Sequence, residues 1–173
     1  PILGTPRLTS YDLQVKRIMV ETIVDDPGYQ NGNYTTEPPL KLANLFGNLV
    51  VTTPELRNQS TPREKLEDFF KQAEAPQPID ANDRLWQLHA IITQDVIGNR
   101  SLADAARSTK ARFLVIVNAN DHLVNPQPAL DWAEALHAQV YISHGACAHL
   151  IMNCDADAVT SRVRHFLEQD QRP

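Results

Sequence analysis

The apolar positions of this chain fall into two patterns. From about residue 8 to residue 98 they recur at helical spacing. Thr9 or Ser10 can cap a helix from about Tyr11 to Val24, with Leu13, Val15, Ile18, Met19, Thr22 and Ile23 as its apolar face. Asp25-Asp26-Pro27-Gly28 stops it, and Tyr29 to Pro39 reads as a loop. A second helix is predicted from about Pro39 to Val51 on Leu40, Leu42, Ala43, Leu45 and Phe46. Thr52 to Gln59 reads as a turn region. Thr61-Pro62-Arg-Glu64 starts another helix, carrying Leu66, Phe69 and Phe70, which Ala75-Pro76-Gln77-Pro78 breaks. The spacing of Leu85, Leu88, Ile92 and Val96 predicts a helix from Ala81 to Ile97, and Ser101 caps a short one ending near Ser108.

The second pattern begins at Arg112-Phe-Leu-Val-Ile-Val-Asn118. This continuous apolar, β-branched run reads as a strand buried on both faces, as in a parallel sheet. A helix is predicted from Pro126 to His137 on Leu130, Trp132, Ala133 and Leu136. A second strand follows at Gln139 to Ser143, then a helix from Asp155 to Glu168. The order is βαβα after an all-helical stretch. Residues 1–7 read as the end of a core strand and a linker, residues 8–98 as a helical lid or cap, and residues 99–173 as an α/β core segment. Two parallel strands make a poor sheet alone, so further strands are expected from sequence ahead of Pro1 or from a partner chain.

The candidate chemistry lies just past the two strands. Asp121 follows the first and His149 the second, and loops at the carboxyl ends of parallel strands share one edge, where ligands bind. A carboxylate bonded to one imidazole nitrogen fixes the tautomer and leaves the other nitrogen as a base toward a nucleophile. The plain alternative is that Asp121 caps the following helix and His149 is a loop histidine. His144 competes as the base. His122 reads as a solvated neighbour of the acid, His89 as part of the lid surface, and His137 and His165 as helix surface.

Composition narrows the classes. The chain has 173 residues, 42% hydrophobic and 21% charged, enough for one domain with a real core. A net charge of -5 with no basic run argues against nucleic acid and anionic membrane as partners. No apolar stretch approaches membrane-spanning length. Cys147 and Cys154 form neither a disulfide framework nor a zinc signature, and no metal is expected. A reducing, cytoplasmic setting fits. The chain begins Pro1-Ile-Leu-Gly without Met, so it is expected to be incomplete.

Gly4-Thr-Pro-Arg7 with Ser10-Tyr11, Asp26-Pro27, Gly32-Asn33-Tyr34, Asp80-Ala-Asn82 and Asp95 resemble, in order and spacing, the region after the nucleophile in the homoserine O-acetyltransferase family. Phe113 to Pro126 and Gly145 to Leu150 resemble that family's acid and histidine segments. The resemblance implies the C-terminal part of an α/β-hydrolase fold: a helical lid followed by the last βαβα of a doubly wound parallel sheet, completed by missing or partner-chain strands. It implies a Ser-His-Asp triad with Asp121 as acid and His149 as base. It also implies acetyl-CoA as co-substrate with no bound cofactor, a small alcohol as acceptor, and a homodimer through the lid. Arg7 and Tyr34 match positions that face substrate, with lid packing as the other reading.

The family's nucleophile sits in a Gly-x-Ser-x-Gly elbow, and this chain contains none. Ser10, Ser60, Ser101, Ser108, Ser143 and Ser161 all lack that setting, so the serine is expected in an N-terminal half outside this chain. The family reads Gly-His-Asp at the histidine, whereas this chain reads Cys147-Ala-His149-Leu150. The lid also has Pro39-Leu-Lys-Leu-Ala-Asn44 in place of Gly-Leu-x-x-Ala-Arg. An acidic residue after the histidine could hold an amino acid's ammonium group, and Leu150 cannot. Hydrolysis of a small ester is therefore the alternative activity, and a non-catalytic helical interaction module the alternative of another class.

Overall fold

The computed structural model describes residues 1–75 and 78–169. Pro76 and Gln77, within the predicted helix break, and the last four residues lie outside it. Five helices come first: α1 (Ser10–Val24), α2 (Lys41–Val50), α3 (Pro54–Ser60), α4 (Leu66–Ala73) and α5 (Ala81–Thr93). After α6 (Leu102–Arg107) come β1 (Leu114–Asn118), α7 (Gln127–Ala135), β2 (Gln139–Ser143), α8 (Ile151–Cys154) and α9 (Ala156–Glu168).

β1 and β2 pair in parallel, from Leu114 opposite Gln139 to Asn118 opposite Ser143. On its other side β1 meets the first residues of the chain: Ile116 N–H donates to Pro1 O (2.9 Å), and Leu3 N–H donates to Ile116 O (2.8 Å). β1 thus has β2 on one side and an isolated parallel bridge to Ile2 on the other. Its alternate side chains serve opposite layers. Val115 and Val117 pack on Ala129 and Ala133 of α7, and Ile116 packs on Ile151 and Val159 of α8 and α9. Full burial of each such side chain contributes roughly 1.5–3 kcal/mol. β2 is an edge, with Val140 and Ile142 exposed.

The helical region has its own core, in which Val20, Ile23, Leu40, Ala43, Ala81, Leu85 and Leu88 bring together α1, α2 and α5. Here the structure departs from the sequence pattern. α1 buries Asp12, Val15, Lys16, Val20 and Ile23, while Leu13 and Ile18, expected inward, are exposed. The buried stripe follows helical spacing, but two of its members are charged. Thr9 caps the helix: its hydroxyl accepts from Asp12 N–H, and the Asp12 carboxylate accepts back from Thr9 N–H.

The expected turn at Thr52 to Gln59 is instead α3. Thr53 caps it by accepting from Leu56 N–H (3.2 Å), and Pro54 stands at its first position. Thr61 closes α3 through N–H to Arg57 O (2.9 Å), so it cannot open the next helix. That helix starts after a short 3₁₀ turn at Arg63–Lys65. α5 ends at Thr93 and does not reach Ile97. Gln94 is extended, Asp95 bridges to Arg7, and Val96 N–H donates to Pro6 O (2.9 Å).

Most of the short motifs that carried the resemblance gather in two clusters. Arg7 forms a bidentate pair with Asp95, at 3.0 and 2.8 Å, and also reaches Gly98 O. The guanidinium holds the Asp95 carboxyl down at about 2. In the second cluster, Asn82 accepts from the Tyr29 hydroxyl (3.2 Å) and donates to Gly32 O (3.2 Å), and the Tyr34 hydroxyl accepts from Asn82 N–H (3.2 Å). Desolvation, with Asp80 close by, pushes the Tyr34 phenol up to about 12. These bonds fasten the Tyr29–Tyr34 loop to the start of α5.

Gly32 has φ +83°, and a Cβ there would lie 2.8 Å from Asn82 Oδ1. Gly32→Ala combines a strained backbone with that overlap. It is expected to destabilise the protein by about 1–3 kcal/mol, read as a lowered urea midpoint.

Candidate active site

The two strands end in a polar knot. Asn118, the last residue of β1, is fully buried. Its Nδ2 donates to Ser143 Oγ (3.2 Å) and Gly145 O (2.9 Å), and its Oδ1 accepts from Asn120 N–H (2.8 Å). Ser143 Oγ in turn donates to Asp155 and accepts from Gly145 N–H (3.0 Å). The loops after β1 and β2 are therefore tied side by side, and they carry Asp121 and His149.

Asp121 turns back under its own loop. Oδ1 accepts from Leu123 N–H (2.8 Å) and Val124 N–H (3.0 Å). Oδ2 lies 2.8 Å from His149 Nδ1. The acid side chain is 1% exposed and the imidazole 26%. A carboxylate only accepts, so Nδ1 carries the proton and Nε2 is left with a free lone pair. This is the arrangement a general base needs. Asp121 bonds the loop ahead of α7 but does not cap that helix, whose N-cap is Pro126 with no side-chain bond, and the histidine takes its other oxygen.

The lid helps to hold the histidine loop. His149 N–H donates to Val51 O (3.1 Å), and Thr53 N–H donates to Ala146 O (3.1 Å). The corner between α2 and α3 thus grips the segment on both sides of Cys147. Sequence reasoning did not single out Val51, Thr53 or Asn118. The Thr-Pro-Glu helix start at Thr53 was the available signal.

Cys147 and Cys154 are joined by a disulfide, with Cα atoms 6.0 Å apart, where no bridge was expected. The single turn of α8 returns the chain to Cys147, which spacing alone could not reveal. The bond closes a loop that contains His149 and leaves Cys147 without a free thiol. Ala148 is fully buried with φ +49°, at the position where the resembling family has Gly.

His144 does not reach the acid. It is exposed, its carbonyl accepts from Asn120 Nδ2 (3.1 Å), and it shares with His122 a cleft of about 540 Å³ bordered by Thr53 and Glu55. Arg7 and Tyr34, for which substrate contact and lid packing were both open, have structural partners, and no hydrogen bond among the described residues links either to Asp121 or His149. Ser143 is buried in the polar knot, and no serine hydroxyl among the described residues is bonded to His149. No group of three or more His, Cys, Asp or Glu among the described residues could hold a metal ion. No described helix is long and apolar enough to cross a membrane.

Comparison with solved structures matches this architecture. Homoserine O-acetyltransferase from Bacillus anthracis superposes with a TM-score of 0.79 at 19% identity, covering 90% of this chain and 50% of that one. Esterase E22 superposes at 0.84 and 18% identity, covering 96% and 53%. The fold is that of the C-terminal part of an α/β-hydrolase, a helical lid followed by the last strands and helices of the sheet.

In sequence, the chain is 30% identical over 156 residues to a homoserine O-acetyltransferase of Methanohalobium evestigatum, covering 78% of this chain and 31% of that protein. It is 23% identical over 176 residues to a homoserine O-succinyltransferase of Acidithiobacillus ferrooxidans, covering 46% of that protein. No family model matches. In sequence the chain is thus similar to homoserine O-acetyltransferases and O-succinyltransferases, and it spans about a third to a half of the length of these curated relatives.

Proposed function

We propose that this chain supplies the acid and the base of a Ser-His-Asp triad that transfers a small acyl group, with the nucleophilic serine on polypeptide outside residues 1–173. The observation that carries the reading is the 2.8 Å contact between His149 Nδ1 and a buried Asp121, which leaves Nε2 free. The curated relatives are named for moving an acetyl or succinyl group onto homoserine, so the reading takes homoserine or a similar alcohol as acceptor, and it takes acyl-CoA, acetyl-CoA first, as donor.

The serine attacks the donor carbonyl as His149 Nε2 takes its proton. His149 returns that proton to the departing thiolate, and an acyl-serine remains. Nε2 then takes the proton of the acceptor hydroxyl, the acceptor oxygen attacks the acyl group, and the serine leaves with the proton from His149. Asp121 orients the ring and stabilises each imidazolium.

Water can replace the alcohol in the second half, giving an esterase. Leu150 favours this second reading. It is exposed beside His149 and offers no charge to an amino-acid ammonium group. The test supplies the serine-bearing polypeptide and compares acetyl-CoA plus homoserine with a chromogenic acetyl ester. Transfer to homoserine supports the acyltransferase. Ester hydrolysis without transfer supports the esterase. Leu150→Asp should then raise the ratio of transfer to hydrolysis by about tenfold, as an ion pair toward the ammonium group allows. Inactivity toward both substrates contradicts the proposal.

The same reading includes a homodimer through the lid. Leu42, Leu45, Leu49, Leu66 and Phe69 line an apolar groove of about 470 Å³, and Leu42 and Leu49 are largely exposed. Light scattering is expected to give a dimer, which Leu49→Glu converts to monomer. A monomeric starting protein rules this part out.

A further inference from the structure

The residue least expected from its surroundings is Lys16. It lies mid-way along α1 and is only 3% exposed. Its Nζ donates to Leu123 O at 3.2 Å. Leu123 is the residue whose own N–H binds Asp121 Oδ1 at 2.8 Å. One turn earlier on α1 stands Asp12, fully buried. Its Oδ1 accepts from Asn125 N–H (2.7 Å), and its Oδ2 accepts from Thr9 N–H (2.8 Å) and the Thr9 hydroxyl (2.7 Å).

The loop from Asp121 to Asn125 is therefore held from two directions. Asp121 binds its N–H groups at Leu123 and Val124 from within. α1 binds the carbonyl of Leu123 and the N–H of Asn125 from outside. Burial lowers the Lys16 ammonium from the usual lysine range, and the carboxylates of Asp12 and Asp121 act against that shift. A desolvated cation is retained at such a place only when its partners are fixed. An apolar residue would fill the same space without that cost, so the charge and the donor are what the position uses.

We propose that Lys16, held in place with Asp12, is a positioning residue for the acid: through Leu123 O it fixes the loop that aims Asp121 at His149 Nδ1. The proposal rests on the triad reading above, and it makes the seating of the first lid helix a condition for the Asp121–His149 geometry.

The test uses intact protein labelled with ¹⁵N, and reads two signals that need no turnover. One is the His149 Nδ1–H resonance. The other is hydrogen exchange at the Leu123 and Val124 amides. Lys16→Met is expected to speed exchange at those two amides by about tenfold, the scale of one charge-assisted hydrogen bond. It is also expected to broaden the Nδ1–H signal, while β1 amides stay protected. Lys16→Arg, which keeps a charged donor, should restore both. A folded Lys16→Met protein with unchanged exchange and an unchanged resonance overturns the proposal. Should that variant not fold, Lys16→Gln removes the charge at similar length, with the same results expected and the same contradiction. Because neither signal depends on catalysis, failure here leaves the acyl-transfer reading to its own assay.

Discussion

Asp121→Asn is expected to lower turnover by about 10⁴-fold while the protein stays folded, the scale that follows when the histidine of a Ser-His-Asp triad is held in the wrong tautomer. Asn keeps an oxygen for the Leu123 and Val124 N–H groups, so the loop retains its internal bonds. Its amide would then face His149 Nδ1 in place of Oδ2. Two donors cannot share that contact, so the imidazole moves its proton to Nε2 and ceases to be a base. The check is kcat for acyl transfer or ester hydrolysis, measured beside a thermal melt. Near-normal turnover in the folded variant would mean that the pair is a structural hydrogen bond.

The largest expected loss of stability comes from Asp12→Ala, about 3 kcal/mol or more, because it removes several buried bonds and leaves a buried cation without its neighbour. Asp12 accepts from Thr9 and Asn125, and the substitution strips α1 of half its capping box. Leu13→Ala, one residue on, is expected to cost under about 1 kcal/mol, because Leu13 faces solvent. Urea unfolding of the two variants reads the contrast directly. The hydrophobic pattern alone predicts the opposite order.

That reversal marks where the sequence is legible. The β1 run could be read because buried parallel strands are apolar on both faces, and β1 is covered by α7 on one side and by α8 and α9 on the other. Asp121 and His149 could be placed because the ends of two parallel strands must lie on one edge. α1 was misread because its buried stripe includes Asp12 and Lys16, whose inward position depends on partners more than a hundred residues away. The capping spacing from Thr9 to Asp12 was the one local clue. α3 was missed although Thr53-Pro54-Glu55 has the composition of a helix start.

Arg7 and Tyr34 show a different limit. Motif order alone cannot separate a residue that touches substrate from one that fastens a lid, and here both are committed to Asp95, Gly98 and Asn82. The disulfide escaped because it depends on where α8 ends.

The measurement that bears most directly on the account is the intact mass of the protein after rapid quenching with acyl donor, followed by mapping of any adduct. The account predicts a single acyl group on a serine outside residues 1–173, formed in the wild type and absent in His149→Ala. An acyl group on one of the six serines within this chain, or an adduct that forms equally fast without His149, would contradict it.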